Sequence, residues 1–328
     1  MSFLTTIDAK YFHSEIPAKP MGKYIHFLTI RVTESYPLFQ TDGELNKARV
    51  TAGIEDKKPI TRLAMFKRKQ STPERLTGRE LLRKYEIGDS AKCDYNVEFS
   101  KTTPDCILYG FAIGDGGSEK SKVVVDTAYS ITDFDDSHLN FTLNAPFEHG
   151  TMSRQGEVTS RINQQDHILP QTFFPSIITL KDATEAGFLY ILNNILRTRH
   201  YGAQTTRTGR VRNELIGIIF ADGEIVSNLR WTQKIYDIML KNNQINPPDP
   251  LNEDDVLDAG NTAINELISD EFIEHQDFIG NNLKAILEEV KSITSNENQL
   301  KKLLIQANKE SLAYAQKYIL KLSKSKSK

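Results

Sequence analysis

Residues 182–220, DATEAGFLYILNNILRTRHYGAQTTRTGRVRNELIGIIF, contain the pattern that decides the fold. Asp182 and Glu185 have the spacing of a capping box, which predicts the start of a helix. Five apolar residues then recur on one helical face: Phe188, Ile191, Leu192, Ile195 and Leu196. An arginine-rich loop follows, and residues 215–220 are typical of a buried strand. We predict that this strand forms a hairpin with residues 224–229 across the turn pair at 222–223.

The sequence before this stretch predicts the other half of the same fold. Residues 23–33, KYIHFLTIRVT, are rich in β-branched and aromatic residues and predict a first buried strand. Thr77 and Glu80 have capping-box spacing and predict a short helix over 77–85. Residues 107–113 and 122–130 predict an antiparallel hairpin. The order strand, helix, strands, helix, strands is that of an α+β, ferredoxin-like fold with insertions.

Three further regions complete the predicted organisation. Residues 132–171 are polar and lack a sustained period, so we interpret them as a long insertion or mobile arm. Residues 252–322 have helical periodicity and predict an acidic helical region. The tail at 323–328 alternates Ser and Lys and is typical of disorder. We therefore divide the chain into a domain at 1–251, a helical region and a tail.

The composition fits a soluble globular protein. The chain has 328 residues, 39% hydrophobic and 26% charged. No leader-like start and no run of eighteen apolar residues occur, so we expect a cytoplasmic protein without membrane contact. Cys93 and Cys106 have no CxxC spacing, which favours two reduced core cysteines, and we expect no metal or cofactor.

The net charge of −2 hides a strong segregation of charge along the chain. Residues 57–84 contain ten bases and two acids, a balance of +8. Residues 197–212 contain five arginines and no acid, whereas residues 252–290 contain eleven acids and one lysine. This pattern predicts one face suited to phosphates and another suited to water or a basic partner.

The arginine-rich loop has the groups that bind a nucleic acid backbone. Its candidate contacts are Arg197, Arg199, Tyr201, Gln204, Arg207, Arg210 and Arg212. Arginines supply charge and forked donors to phosphates, Gln204 adds a neutral donor, and Tyr201 is a candidate for stacking on a base. Basic residues at the C-terminal end of a helix interact favourably with its dipole. This effect would explain Arg197 and Arg199 but not the arginines after Gly202.

The first basic segment supplies a second set of candidates, composed of Arg62, Lys67, Arg68, Lys69, Arg79 and Arg83. A lysine-rich stretch is often only a solvated helix face. Free backbone N–H groups at the predicted helix start, Thr77-Gly78, would favour an anion beside it.

Signals for catalysis are weak. The chain contains no GxxxxGK[ST], HExxH or GxSxG motif. Asp133, Asp135, Asp136 and His138 resemble a loose metal cluster, although aspartates in loops more often bind local backbone donors. Asp42 lies after the first strand and precedes Gly43, and a turn explains this pair without catalysis.

Three stretches together resemble one family: DHILPQTFFPS at 166–176, KDATEAGF at 181–188 and YGAQTTRTGR at 201–210. They are similar to the backbone subunit of type I-D CRISPR effector complexes. The resemblance implies an RNA-recognition-motif-like palm with inserted finger and thumb elements. It also implies copies stacked head to tail along a guide crRNA, beside other subunits, with the guide presented for pairing with target DNA.

Applied to this sequence, the resemblance implies that residues 197–212 and the basic helix region hold guide phosphates. It implies a thumb within about 132–171 and a subunit that is not an enzyme. One alternative is cleavage of a single-stranded target through Asp42, since backbone subunits of type III complexes have a cleaving aspartate after their first strand. The other alternative is a generic single-stranded nucleic-acid-binding protein.

Overall fold

The computed structural model describes residues 2–41, 43–94, 97–113, 117–143, 153–154, 157–158, 163–202 and 209–320. The described residues form seven α-helices: α1 Lys67–Lys84, α2 Pro104–Tyr109, α3 Glu185–Arg197, α4 Asn228–Lys241, α5 Glu253–Ile268, α6 Gly280–Thr294 and α7 Glu297–Tyr314. Short 3-10 turns occur at Ala9–Tyr11 and Ser90–Lys92, and a π-helical turn at Ala315–Ile319 follows α7.

The strands, in chain order, are β1 Tyr24–Thr33, β2 Gln40–Thr41, β3 Glu44–Leu45, β4 Lys47–Thr51, β5 Pro59–Met65, β6 Phe111–Ile113, β7 Gly117–Glu119, β8 Val123–Val125, β9 Ala128–Tyr129, β10 His138–Leu143, β11 Ser153–Arg154, β12 Glu157–Val158, β13 Asn163–Ile168, β14 Phe173–Lys181, β15 His200–Tyr201, β16 Gly209–Ala221 and β17 His275–Ile279.

A central antiparallel sheet confirms the predicted α+β, ferredoxin-like class. Its main strands lie in the order β16, β1, β14, β8. With α1 after β1 and α3 after β14, this is the βαββαβ arrangement, in which the first and third strands occupy the centre. β15 and β17 extend the sheet by pairing with the two ends of β16. β1 is central because nearly all of its residues are buried, as expected for its apolar composition.

Helices cover both faces of this sheet. Ile25 and Phe27 of β1 face a core that includes residues of α1, α2, α3, α6 and α7. Leu28 and Ile30 face a second core with α4 and α5, because successive side chains of a strand point to opposite faces of the sheet. Trp231 lies at the centre of this second core and donates from its indole to the Gly260 carbonyl at 3.1 Å. The protein therefore has three layers.

The first helix is longer than its sequence predicts. α1 begins at Lys67, ten residues before the predicted start at Thr77, and contains Pro73. The Thr77 hydroxyl donates to the Pro73 carbonyl at 3.1 Å within the helix, so Thr77-Gly78 is not a helix N-terminus. The first two turns of α1 have no apolar stripe that would mark a helix, and the internal proline disfavours one, so the sequence did not predict this part of the helix.

The predicted helix at 182–197 is confirmed, with a different cap. Thr184 is the N-cap, and its hydroxyl accepts from the Gly187 amide at 3.1 Å. Asp182 instead has a positive φ of 52° and accepts from the Lys23 amide at 3.1 Å. The Glu185 carboxylate accepts from the backbone amides of the N-terminal segment, including Leu4 at 2.8 Å.

Two predicted hairpins are wrong in their pairing. Residues 104–109 are helical, and β6 pairs with β7, while β8 joins β14 and β9 joins β5. After the turn at 222–223 the chain enters α4 from Asn228, and the strand beside the end of β16 is β17 from the acidic region. Both errors concern long-range pairing, which local turn signals do not determine.

Within residues 132–171, β10 pairs with β13 to form a two-stranded arm, and β11 pairs with β12. The acidic region contains α5, α6, α7 and also β17. The tail predicted to be disordered, 323–328, lies outside the described residues. None of the helices described is both long and apolar enough to cross a bilayer.

Candidate nucleic-acid interface

Arg62 lies in the interior, which corrects its prediction as an RNA contact. It has no exposed surface, and its guanidinium donates to the backbone carbonyls of Ala52, Ser130 and Ile131. Burial lowers the pKa of Arg62 to about 10. Arg62 therefore joins the segment at Ala52 to the segment at Ser130 and Ile131, and its buried guanidinium is not available to a phosphate.

Arg79 is also buried, against prediction. Its guanidinium donates to one Asp105 oxygen from Nε at 3.1 Å and from Nη2 at 2.8 Å, and Arg75 donates to the same oxygen at 3.3 Å. Burial alone would raise the pKa of Asp105, but the two arginines outweigh burial and lower it. This ion pair fixes α1 against α2 and leaves Arg79 unavailable for RNA.

Tyr201 is fully buried, so the prediction that it stacks on a base is wrong for this structure. Its hydroxyl donates to Glu74 at 3.1 Å and accepts from Arg31 at 3.0 Å and from Asn213 at 2.7 Å. Burial raises the pKa of the Tyr201 phenol. These four residues form one polar network between α1 and the central strands, and its role is structural.

Lys67 and Arg68 are exposed at the start of α1. Among the described residues no carboxylate lies within ion-pairing distance of Lys67, Arg68 or Lys69. Lys69 is mostly buried, and burial together with the neighbouring Arg68 lowers its pKa. Uncompensated positive charge at one helix end attracts a polyanion, so Lys67 and Arg68 remain available, whereas burial removes Lys69 from the predicted RNA contacts.

Three other predicted bases, Arg83, Arg197 and Arg199, are bonded to uncharged groups, and the first two are exposed. Arg83 donates to the backbone carbonyls of Ser90 and Cys93. Arg197 donates to Asn193 Oδ1 at 2.8 Å and to the Thr294 carbonyl at 2.6 Å. Arg199, half-buried, donates to the Thr198 carbonyl at 3.3 Å. In the described part of the chain, none of the three is paired with a carboxylate.

Arg210 and Arg212 form ion pairs at the start of β16. Arg210 donates to Glu34 at 2.8 Å, and Arg212 donates to Glu34 at 2.9 Å, to Glu214 and to Glu253. Partial burial would lower the pKa of Arg212, but the three carboxylates raise it above its usual range. The acidic region therefore contacts the basic loop through Glu253, contrary to the prediction of separate faces.

Gln204, Arg207 and Asp42 lie outside the described residues. Tyr201 and Gly209, which lie on either side of Gln204 and Arg207 in the sequence, pair in the β-ladder. Around Asp42, Thr41 pairs with Glu44.

The structure brings the two basic segments together at the packing of α1 on α3. The hydroxyls of Thr77 and Thr198 are 2.8 Å apart. A Cβ on Gly78 would lie 2.3 Å from Asn194 Nδ2, so glycine permits this close approach. The exposed bases of α1 lie at its two ends, separated by about 24 Å for sixteen residues of helix. The middle of α1 is the buried part.

The broad sheet face is not an RNA platform. RNA-recognition motifs stack bases on the sheet face opposite their two helices. Here α4 and α5 cover that face, with Trp231 and Ile235 fully buried between them and the sheet. A nucleic acid must therefore contact the loops, the helix ends and the arm.

Lys47 and Arg49 are exposed bases that sequence reasoning missed. They lie on β4, an edge strand that pairs with β5. Lys47 lies over the Phe134 ring at 4.9 Å, and Arg49 donates to the Thr61 hydroxyl at 3.5 Å. Their alternation around Ala48 was the available signal, because alternate residues of a strand share one face.

Two groups of residues are of the types that bind metals, and packing or hydrogen bonds with neighbouring residues explain both. Cys93 and Cys106 are free and buried with sulfurs 3.6 Å apart, and Asp105 lies beside them. Asp105 is already bonded to Arg75, Arg79 and Thr103, which opposes its use as a metal ligand. The acidic cluster before the arm shows the expected local bonding, since Asp133 accepts from the Asp135 amide.

Comparison with known proteins identifies the family. The sequence profile described as Csc2 Crispr matches residues 11–304. The fold is similar to the crystal structure of Thermofilum pendens Csc2, with a TM-score of 0.51 and 15% identity over 88% of this chain and 95% of that chain. A chain of a CRISPR RNA-guided surveillance complex is similar with a TM-score of 0.47 and 10% identity, over 79% of this chain and 90% of that chain.

A comparison with curated protein sequences gave no significant match. The structural likeness, at 15% identity, supports the fold alone. The profile match extends from the segment before β1 into α7 and so includes every element of the central sheet. This chain belongs to the Csc2 family of CRISPR proteins.

Proposed function

We propose that this protein is the crRNA-binding backbone subunit of a type I-D CRISPR surveillance complex, or Cascade. The observation that carries the proposal is the family match over residues 11–304. Copies would polymerise along the guide and present it for pairing with target DNA, beside the other subunits of the complex. The protein would bind the sugar-phosphate backbone of the guide, and the target sequence would be recognised by base pairing with the guide.

The surface chemistry of the described residues supports this proposal. Lys67 and Arg68 have no carboxylate partner in the described part of the chain, and Arg197 and Arg199 bind only uncharged groups. Side chains of this kind contact phosphates without first breaking an ion pair. We assign the guide backbone to this surface and to the loop between Gly202 and Gly209.

The arm formed by β10 and β13 is our candidate for the thumb. β13 ends at Ile168, whose amide donates to the Pro37 carbonyl at 3.2 Å. An antiparallel ribbon that projects from one copy is suited to contact the next copy and the guide between them. The head-to-tail arrangement remains part of the proposal.

The deciding experiment is the isolation of the protein with its bound nucleic acid. Absorbance at 260 and 280 nm during size exclusion, followed by sequencing of the bound strands, should reveal repeat-spacer RNA in long assemblies. Mixed cellular RNA without a fixed stoichiometry would support a generic single-strand binder instead. Absence of nucleic acid, and no binding of a synthetic guide at low salt, would contradict the proposal.

We further propose that the subunit is not an enzyme and that Asp42 has a turn role. A metal-dependent nuclease needs several ligands or an acid-base pair, and among the side chains near Asp42 in sequence only Glu44 could assist. The alternative, cleavage through Asp42, is tested below.

A further inference from the structure

Tyr36 is an exposed aromatic residue between the start of β16 and the arm formed by β10 and β13. Its side chain is 44% exposed, whereas Tyr201, the aromatic residue of the basic loop, is completely buried. Tyr36 lies in the segment between β1 and β2. An exposed tyrosine on a surface that binds single-stranded RNA has an obvious ligand, because every base has a face on which an aromatic ring stacks.

Backbone contacts fix Tyr36 beside the basic loop. The Glu34 amide donates to the Arg210 carbonyl at 2.8 Å, and the Arg210 amide donates to the Ser35 hydroxyl at 2.7 Å. A Cβ on Gly209 would lie 2.3 Å from the Pro37 nitrogen, so the chain on both sides of Tyr36 packs tightly on the start of β16. The Arg210 side chain beside it is more than half exposed.

The arm supports the other side of Tyr36. The rings of Tyr36 and Phe141 of β10 are perpendicular, with centroids 5.0 Å apart. Phe141 in turn packs against His167 of β13, with ring centroids at 5.2 Å. This edge-to-face contact restrains the Tyr36 ring while much of it stays exposed, and a restrained ring loses little entropy when a base binds.

The charges near each exposed aromatic residue indicate whether a ligand with phosphates can bind there. Another exposed aromatic residue, Phe272, is fully exposed but lies among Asp270, Glu271 and Glu274, which repel phosphates. Tyr36 instead follows Ser35, whose hydroxyl accepts from the amide of Arg210. The Arg210 side chain is 55% exposed, and its one carboxylate partner among the described residues is Glu34. A flat ring beside cations matches the alternating bases and phosphates of a single strand.

We propose that Tyr36 stacks on a base of the bound RNA where the strand passes between the basic loop and the arm, and that Phe141 positions the ring. This inference rests on the proposed function and adds the residue that contacts a base. The stacking is independent of sequence, because it uses the face of the base and not its edge.

The experiment uses the full chain freed of nucleic acid and three fluorescein-labelled RNA probes of equal length. One has all its bases, one has a central run of abasic nucleotides, and one has a single 2-aminopurine. Binding is measured for the wild type, Tyr36→Phe, Tyr36→Leu and the control Phe272→Leu. Thermal unfolding of each variant shows whether the fold is kept, and size exclusion without RNA measures self-association.

Tyr36→Leu should weaken binding of base-containing RNA by roughly five- to a hundredfold, and Tyr36→Phe and Phe272→Leu should bind like the wild type. The abasic probe should bind the wild type and Tyr36→Leu equally. In the wild type, the fluorescence of 2-aminopurine should be quenched when this base lies against Tyr36. This measurement tests stacking even if Tyr36→Leu unfolds.

Equal loss on both probes, no loss on either, or altered self-association without RNA would overturn the stacking role. The last result would instead indicate a contact between protein copies. Failure of the wild type to bind any probe would contradict the proposed function itself, and so the two failures are distinguishable.

Discussion

Arg212 donates from one guanidinium nitrogen to both carboxylate oxygens of Glu253, at 2.8 and 2.7 Å. This pair joins the start of β16 to the first turn of α5, and so the basic loop contacts the acidic region. Replacement of Arg212 would leave Glu34, Glu214 and Glu253 with less positive charge nearby and would disturb the fold as well as RNA binding. Variants that test RNA binding should therefore leave Arg212 unchanged.

Glu34 competes with phosphates for the two arginines that it binds. Glu34→Gln should tighten binding of single-stranded RNA by about two- to fivefold, the range expected from releasing an exposed ion pair. Fluorescence anisotropy at low salt measures the change. Glu288→Gln is the matched control, because Glu288 is exposed on α6 and forms no ion pair with a described residue. An equal gain in both variants would indicate only a general charge effect.

Lys67 and Arg68 should each contribute one phosphate contact. Lys67→Ala with Arg68→Ala should weaken RNA binding and reduce the slope of log affinity against log salt by about 1.4, or about 0.7 for each phosphate contact on a single strand. Titrations at several salt concentrations give the slope. Lys284→Ala with Lys291→Ala removes two exposed lysines of α6 as the control and should leave the slope unchanged. If the control variant reduced the slope and Lys67→Ala with Arg68→Ala did not, the RNA would bind at α6 and not at the start of α1.

Arg79 should matter for stability and not for RNA binding. Arg79→Ala leaves the buried Asp105 with only Arg75, and loss of one partner of a buried ion pair costs about 3 kcal/mol or more. Urea unfolding measures this loss, with Arg83→Ala as the exposed control from the next turn of α1. If Arg79→Ala bound RNA poorly but unfolded like the wild type, its buried structural role would be wrong.

His26 should make stability depend on pH between about 4 and 6.5. The imidazole is bonded to Thr179 Oγ1 at 2.9 Å and to the Gly223 carbonyl at 3.0 Å, and burial lowers its pKa from 6.5 to about 4. The unfolded chain binds the proton more readily, so this contribution is complete above pH 6.5 and is lost as pH falls towards 4. The loss amounts to about 3 kcal/mol.

Urea unfolding at several pH values tests this prediction. His26→Asn should remove much of the pH dependence in this window, whereas His275→Asn, at an exposed position of β17, should keep it. Identical pH profiles of the wild type and His26→Asn would contradict the assigned titration.

Asp42→Ala should not change any cleavage of a bound target. The assay uses an assembled complex whose large subunit has no nuclease activity, with matched single-stranded RNA or DNA and magnesium or manganese. We expect no regularly spaced products from the wild type or the variant. Products that disappear with Asp42→Ala, while guide binding is retained, would make the subunit an enzyme.

The sequence by itself determined the central elements of the fold. The apolar run of β1, the stripe of α3 and the apolar end of β16 have periods that local sequence specifies, and each element lies where it was predicted. The cap of α3 was displaced to Thr184, and the start of α1 was missed, since the ends of helices depend on weaker signals.

Only the tertiary structure decided which basic residues reach the surface. Arg62 and Lys67 are five residues apart in one basic segment, yet Arg62 is buried against Ser130 and Ile131 while Lys67 is exposed. Arg79 donates to Asp105, and Tyr201 donates to Glu74, because the fold packs segments together that are far apart in the chain. Composition records the number of charges, but burial and ion pairing depend on partners that are distant in sequence, and these partners decide which charges an RNA can contact.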